Sequence, residues 1–86
     1  MNVTTATVRY FAGARAAAGV PEEILGFPAG ATVADVLNEL SGRHGEALSR
    51  VLLASSFLLD GVAVRDRAIP LSDGTVLDVL PPFAGG

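Results

Sequence analysis

Eighty-six residues with a net charge of −3, 50% of them hydrophobic and few aromatic, make one domain with an aliphatic core; a chain of this size buries only about 60–65% of its unfolded surface. The acidic balance argues against nucleic acid or an anionic membrane as the main partner, and no apolar stretch approaches the ~20 residues of a membrane span. Cysteine and lysine are both missing, the basic side chains being Arg9, Arg15, Arg43, Arg50, Arg65, Arg67 and one histidine, which excludes disulfides, thiolate metal sites, a cysteine nucleophile and Schiff-base chemistry.

Residues 3–11 are β-branched and aromatic and predict a first strand, with Val8 and Tyr10 on one face and Thr7, Arg9 and Phe11 on the other. The small residues 12–19 predict a helical turn ended by Gly19. Pro21 breaks any continuation, and Glu22 to Phe27 predicts a second strand in a hairpin with the first. Pro28-Ala29-Gly30 is a turn. Thr32 then starts the clearest helix, as an N-cap with Asp35 in the third position of a capping box. Val33, Val36, Leu37 and Leu40 fall on one apolar stripe, with Asp35, Asn38 and Glu39 opposite. Gly42 and Gly45 are expected to end this helix near His44, and Glu46 to Leu53 predicts a short second one. Phe57 to Leu59 and Val62 to Val64 flank Asp60-Gly61, a strong hairpin signal. Ile69, Pro70 and Leu71 are expected to dock a loop on the core. After the Ser72-Asp73-Gly74 turn, Thr75 to Leu80 predicts the last strand, with Leu77 and Val79 toward the helix.

The expected fold class is therefore α+β: a mixed sheet of about five strands with one main helix packed on one face. In a β-grasp topology the first and last strands lie parallel at the centre. Arg9 and Asp78 would then share the open face and pair. Phe11, Val76 and Leu80 would form an apolar patch where the chain leaves the sheet, and exposed apolar patches commonly mark partner surfaces.

The division predicted is a domain over 1–80 and an extended tail over 81–86. Pro81 and Pro82 fix φ and remove N–H donors, so the segment cannot continue a ladder. Phe83 is a lone aromatic anchor, and Ala84, Gly85 and Gly86 can thread a channel that larger side chains would block. The Gly86 carboxylate becomes the most reachable reactive group. His44 reads as an exposed residue at a helix C-terminus, and Glu22, Glu23, Asp66 and Asp73 as solvated edge and turn residues. Arg15, Arg65 and Arg67 are docking or solubility charges. No metal-ligand spacing and no phosphate-binding glycine loop are present. Residues 1–12 lack the pattern of a signal peptide, so a cytoplasmic location is expected.

These pieces together resemble the molybdopterin synthase small subunits, ubiquitin-like sulfur carriers of β-grasp fold. The run Phe11-Ala12-Gly13-Ala14-Arg15, with Gly19 four residues on, resembles that family's "FA-x-x-R…G" opening. Leu59-Asp60-Gly61 stands where Val-Asn-Gly is common, Pro70-Leu71-Ser72-Asp73-Gly74 resembles "PL-x-DG", and Pro81-Pro82-Phe83-Ala84-Gly85-Gly86 resembles the "PP-x-x-GG" terminus. The likeness spans the whole chain in order and spacing. It departs at Asp60 and at Ala16-Ala17-Ala18, where an acidic residue often follows the arginine.

The resemblance implies that an ATP-dependent, ubiquitin-activating-like enzyme adenylates Gly86 and that a sulfurtransferase converts it to a thiocarboxylate. The tail would enter the large subunit of molybdopterin synthase and give sulfur to cyclic pyranopterin monophosphate. The expected assembly has two large subunits at the centre and one carrier at each end. Phe11, Arg15, Val76 and Leu80 would dock partners and residues 81–85 would thread. No cofactor would be bound and no catalytic acid or base supplied, since ATP is used by the activating enzyme. A carrier for thiazole, cysteine or tRNA thiolation is the alternative, although thiazole carriers tend to lack a segment like 46–53. A third reading is a ubiquitin-like protein modifier, or an interaction module with an idle tail.

Overall fold

The computed structural model describes residues 2–82, so the expectations placed on Phe83, Ala84, Gly85 and Gly86 lie outside the described residues. The elements run β1 (Val3–Tyr10), α1 (Ala12–Ala18), β2 (Glu22–Pro28), α2 (Val33–His44), α3 (Glu46–Ala54), β3 (Ser56–Leu59), β4 (Val62–Ala63) and β5 (Thr75–Leu80). They form one five-stranded sheet in the order β2-β1-β5-β3-β4. The central pair is parallel, with Ala6 opposite Thr75 and Tyr10 opposite Val79. Every other pairing is antiparallel. This is the β-grasp arrangement the sequence predicts.

Period-two alternation decides the two faces of β1. Thr4, Ala6, Val8 and Tyr10 are buried under the helices, while Thr5 and Arg9 face outward. β2 matches it in register, with Ala6 against Leu25 and Thr4 against Phe27. α2 closes this face. Its box forms as expected: the Asp35 N–H donates to Thr32 Oγ1 at 3.3 Å, and Asp35 Oδ2 accepts from the Thr32 N–H at 2.8 Å. Val33, Val36, Leu37 and Leu40 are all buried. Leu40, Leu48 and Leu77 are fully enclosed, each contributing about 1.5–3 kcal/mol of apolar burial. α3 adds Leu48 and Leu52 to that core and packs against both α1 and α2.

Two local expectations are corrected. Gly42 lies inside α2, and the helix stops only at Gly45, whose φ of 85° is open to glycine. The interior glycine costs about 1 kcal/mol, which the packing on either side of it outweighs. In the loop after β4, only Leu71 is buried, while Ile69 and Pro70 remain exposed. That loop docks mainly through its backbone. The carbonyls of Ile69 and Arg67 accept the N–H groups of Val33 and Ala34 at 3.1 and 2.9 Å, satisfying donors that a helix N-terminus leaves open.

Candidate functional site

Parallel neighbours end on the same side of a sheet, so β1 and β5 release their chains together. β1 runs into Phe11 and β5 into Pro81. Between these exits lies an apolar cleft of about 220 Å³ lined by Phe11, Ala12, Leu80 and Pro81. Phe11 is 40% exposed, so the cleft presents a ring to solvent. Ala12 takes a φ of +48°, a left-handed conformation that an alanine holds only when its surroundings impose it.

Arg9 and Asp78 pair on the open face, outside the lining of the cleft. Arg9 Nε donates to Asp78 Oδ1 at 2.5 Å and its Nη2 to Oδ2 at 2.8 Å. The Asp78 hydrogen bond and charge hold the Arg9 guanidinium more firmly protonated, against a small opposing effect of burial. The same guanidinium carbon lies 5.9 Å from the centroid of the Phe11 ring, within cation–π range.

The predicted docking residues are not all brought together. Phe11, Leu80 and Pro81 meet at the cleft. Val76 is half-buried two positions before Asp78 and is not part of the lining. Its register partner is Thr7, one step back along the sheet from the Arg9–Asp78 pair, so a single patch of Phe11, Val76 and Leu80 does not form. Arg15 is exposed in the last turn of α1, also outside the lining. Pro82 is exposed and closes the described chain. Arg67 is exposed, with its guanidinium 5.1 Å from the Phe57 ring centroid.

Two acidic residues clamp the start of β5. Asp60 sits at φ 50° and Gly61 at φ 83°, the left-handed pair of a tight hairpin. Asp60 accepts from the Thr75 hydroxyl at 2.6 Å and the Val76 N–H at 2.8 Å, and these bonds hold its carboxyl below the ordinary value. Asp73 likewise accepts from the Thr5 N–H and hydroxyl, which lowers its carboxyl too. Asp60 is thus engaged within the fold, and Asp73 is more than a solvated turn residue.

His44 and Glu23 are the clearest corrections. His44 was expected to be exposed, yet its side chain is only 14% exposed and pairs through Nε2 with Glu23. Glu23 also accepts from the Tyr10 hydroxyl at 2.6 Å, while the Tyr10 and His44 rings meet edge-on at 5.9 Å. Burial raises the Glu23 carboxyl, but the hydrogen bonds from Tyr10 and His44 outweigh it and leave the group below its usual value. Burial, reinforced by Glu23, pushes the Tyr10 phenol well above its usual value. One sequence signal was there to be used: Glu23, Leu25 and Phe27 alternate, so Glu23 belongs to the buried face.

The fold and this end of the sheet define a ubiquitin-like β-grasp protein that carries its C-terminal strand out past an apolar cleft. The family model described as "ThiS family" matches residues 8–86, and the chain belongs to that family. It is 35% identical over 80 residues to the molybdopterin synthase sulfur carrier subunit of Chlamydomonas reinhardtii, covering 92% of this chain and 95% of that one. Among solved structures it is similar to the putative molybdopterin converting factor subunit 1 of Pyrococcus furiosus, with a TM-score of 0.84, 32% identity, and coverage of 93% of this chain and 99% of that one. It is also similar to the small archaeal modifier protein 1 of Methanosarcina acetivorans, with a TM-score of 0.82, 27% identity and coverage of 100% of both. Similarity extends to a complex of subunits 1 and 2 of the molybdopterin-converting factor from Helicobacter pylori, with a TM-score of 0.67, 25% identity, and coverage of 96% of this chain and 100% of the matched one.

Proposed function

We propose that this chain is the sulfur-carrier subunit of a molybdopterin synthase, with the Gly86 carboxylate as the group that carries sulfur. The observation that supports this best is the exit of β5: the strand leaves beside β1 through Leu80 and Pro81, along an apolar cleft suited to a protein partner. The named relatives favour the molybdopterin branch, and the two-subunit complex supports a large subunit as partner.

The chemistry fits the residues. A carboxylate is a poor electrophile. In the proposed sequence the Gly86 carboxylate attacks the α-phosphorus of ATP on the activating enzyme, and pyrophosphate leaves. A persulfide on a sulfurtransferase then displaces AMP from the acyl carbon through its outer sulfur, and a second thiol cleaves the resulting acyl disulfide, releasing the Gly86 thiocarboxylate and leaving a disulfide between the donor and that thiol. The chain has no cysteine on which to carry sulfur, so the terminus is the place for it. Gly85 and Gly86 allow close approach by each enzyme, and cyclic pyranopterin monophosphate on the large subunit is the proposed acceptor.

Reconstitution tests this reading. The thiocarboxylate form is mixed with the cognate large subunit and cyclic pyranopterin monophosphate, and molybdopterin formation is measured. Product formation is expected, and none under conditions that support a known pair overturns the assignment. The archaeal modifier likeness supports a second reading, conjugation to protein amines. Isopeptide-linked adducts formed with the activating enzyme and ATP would favour it.

A further inference from the structure

The cluster of Tyr10, Glu23 and His44 takes no part in the carrier chemistry, yet it sits across the sheet from the cleft. Tyr10 ends β1 and is 3% exposed. Three contacts hold it. Its hydroxyl donates to Glu23 Oε2 at 2.6 Å, its N–H donates to the Pro21 carbonyl at 2.9 Å, and its ring meets that of His44. The next two residues, Phe11 and Ala12, line the cleft. Phe11 caps α1 without any side-chain hydrogen bond, and Ala12 turns with positive φ. Neither residue carries a polar side chain that could anchor this turn, and the nearest anchored side chain before it is Tyr10.

We propose that Tyr10, Glu23 and His44 are positioning residues for the cleft: they pin the end of β1 from the helix face and so set where Phe11 and Ala12 stand on the open face. The importance of that placement rests on the cleft's being the carrier's docking surface, but the positioning is measurable with no partner present. The groups facing the cluster are Tyr10 from β1, Glu23 from β2, and Arg43 from α2, whose Nε lies 3.9 Å from Glu23 Oε1. Glu39 engages Arg43 at 3.4 Å, and Glu46 of α3, just past Gly45, is held by Arg50 at 2.8 Å.

The test compares the Ala12 and Leu80 methyls and the Phe11 amide by NMR in the parent protein and in Tyr10→Phe and His44→Gln. In both variants the cleft signals are expected to shift, while the Val3 methyls at the far end of β1 stay still. The Leu77 methyls, fully buried in the core, report that the fold is intact in each variant. Both variants are also expected to weaken large-subunit binding by about 3- to 10-fold. Cleft signals that stay in place in both variants, each folded, overturn the proposal. Wild-type protein that fails to bind the large subunit overturns the docking reading instead, and the spectra still decide the positioning.

Discussion

Arg9 and Asp78 stand directly opposite one another on the two central parallel strands, and the guanidinium engages both carboxylate oxygens. Their exposures are unequal: the Asp78 side chain is 9% exposed and that of Arg9 48%. Replacing Asp78 by Ala leaves a half-exposed cation that water can solvate. Replacing Arg9 by Ala leaves a buried carboxylate without its partner, which is the more costly loss. Urea denaturation is therefore expected to show a larger fall in midpoint for Arg9→Ala than for Asp78→Ala. The reverse order would show that the strand pair does not depend on neutralising Asp78.

Tyr10 is the only tyrosine, and tryptophan is absent, so phenolate absorbance reports this one side chain. Its value is raised in the folded chain, first by burial and then by Glu23. The associated stability is intact below about 10, the ordinary tyrosine value, and is lost as pH rises beyond it. Phenolate is expected to appear together with the loss of far-UV circular dichroism in one alkaline transition. Ionisation near the ordinary value in a fully folded protein would count against the buried Tyr10–Glu23 bond.

The acid limb has the opposite sign. Glu23 is lowered in the folded chain, so its contribution is present above the unfolded carboxyl value of about 4.3 and lost as pH falls through the folded value. Glu23→Gln is expected to be less stable than the parent at neutral pH and to lose less stability on acidification. Denaturation midpoints for both proteins across the acid range check this, and parallel curves would contradict it.

Leu40 and Leu53 are both leucines on helices, but Leu40 is fully buried whereas Leu53 is 84% exposed. Leu40→Ala is expected to cost about 2–5 kcal/mol, a large share of a small domain's stability. Leu53→Ala is expected to stay within about 0.5 kcal/mol. Chemical denaturation of the two variants measures the contrast.

Most of the fold is legible because it depends on local patterns. The stripe at Val33, Val36, Leu37 and Leu40, the Thr32–Asp35 box and the Asp60-Gly61 turn each fix an element within a few residues. The parallel β1–β5 pair and the Arg9–Asp78 contact follow once β-grasp topology is adopted. What escaped depends on neighbours distant in sequence. His44 looked exposed because nothing near it shows that Glu23 and Tyr10 lie beneath the end of α2. Val76 shares a face with Leu80, but strand alternation alone does not show that the two are divided by the Arg9–Asp78 pair. The positive φ of Ala12 leaves no trace in an alanine-rich run.

The central claim is that Gly86 carries the sulfur, and intact-mass measurement of the protein from its native host tests it most directly. The account predicts a gain of about 16 Da, oxygen replaced by sulfur, localised to Gly86 and lost when that residue is deleted although the fold is retained. A terminus that stays unmodified with its activating enzyme, ATP and a sulfur source present would contradict it.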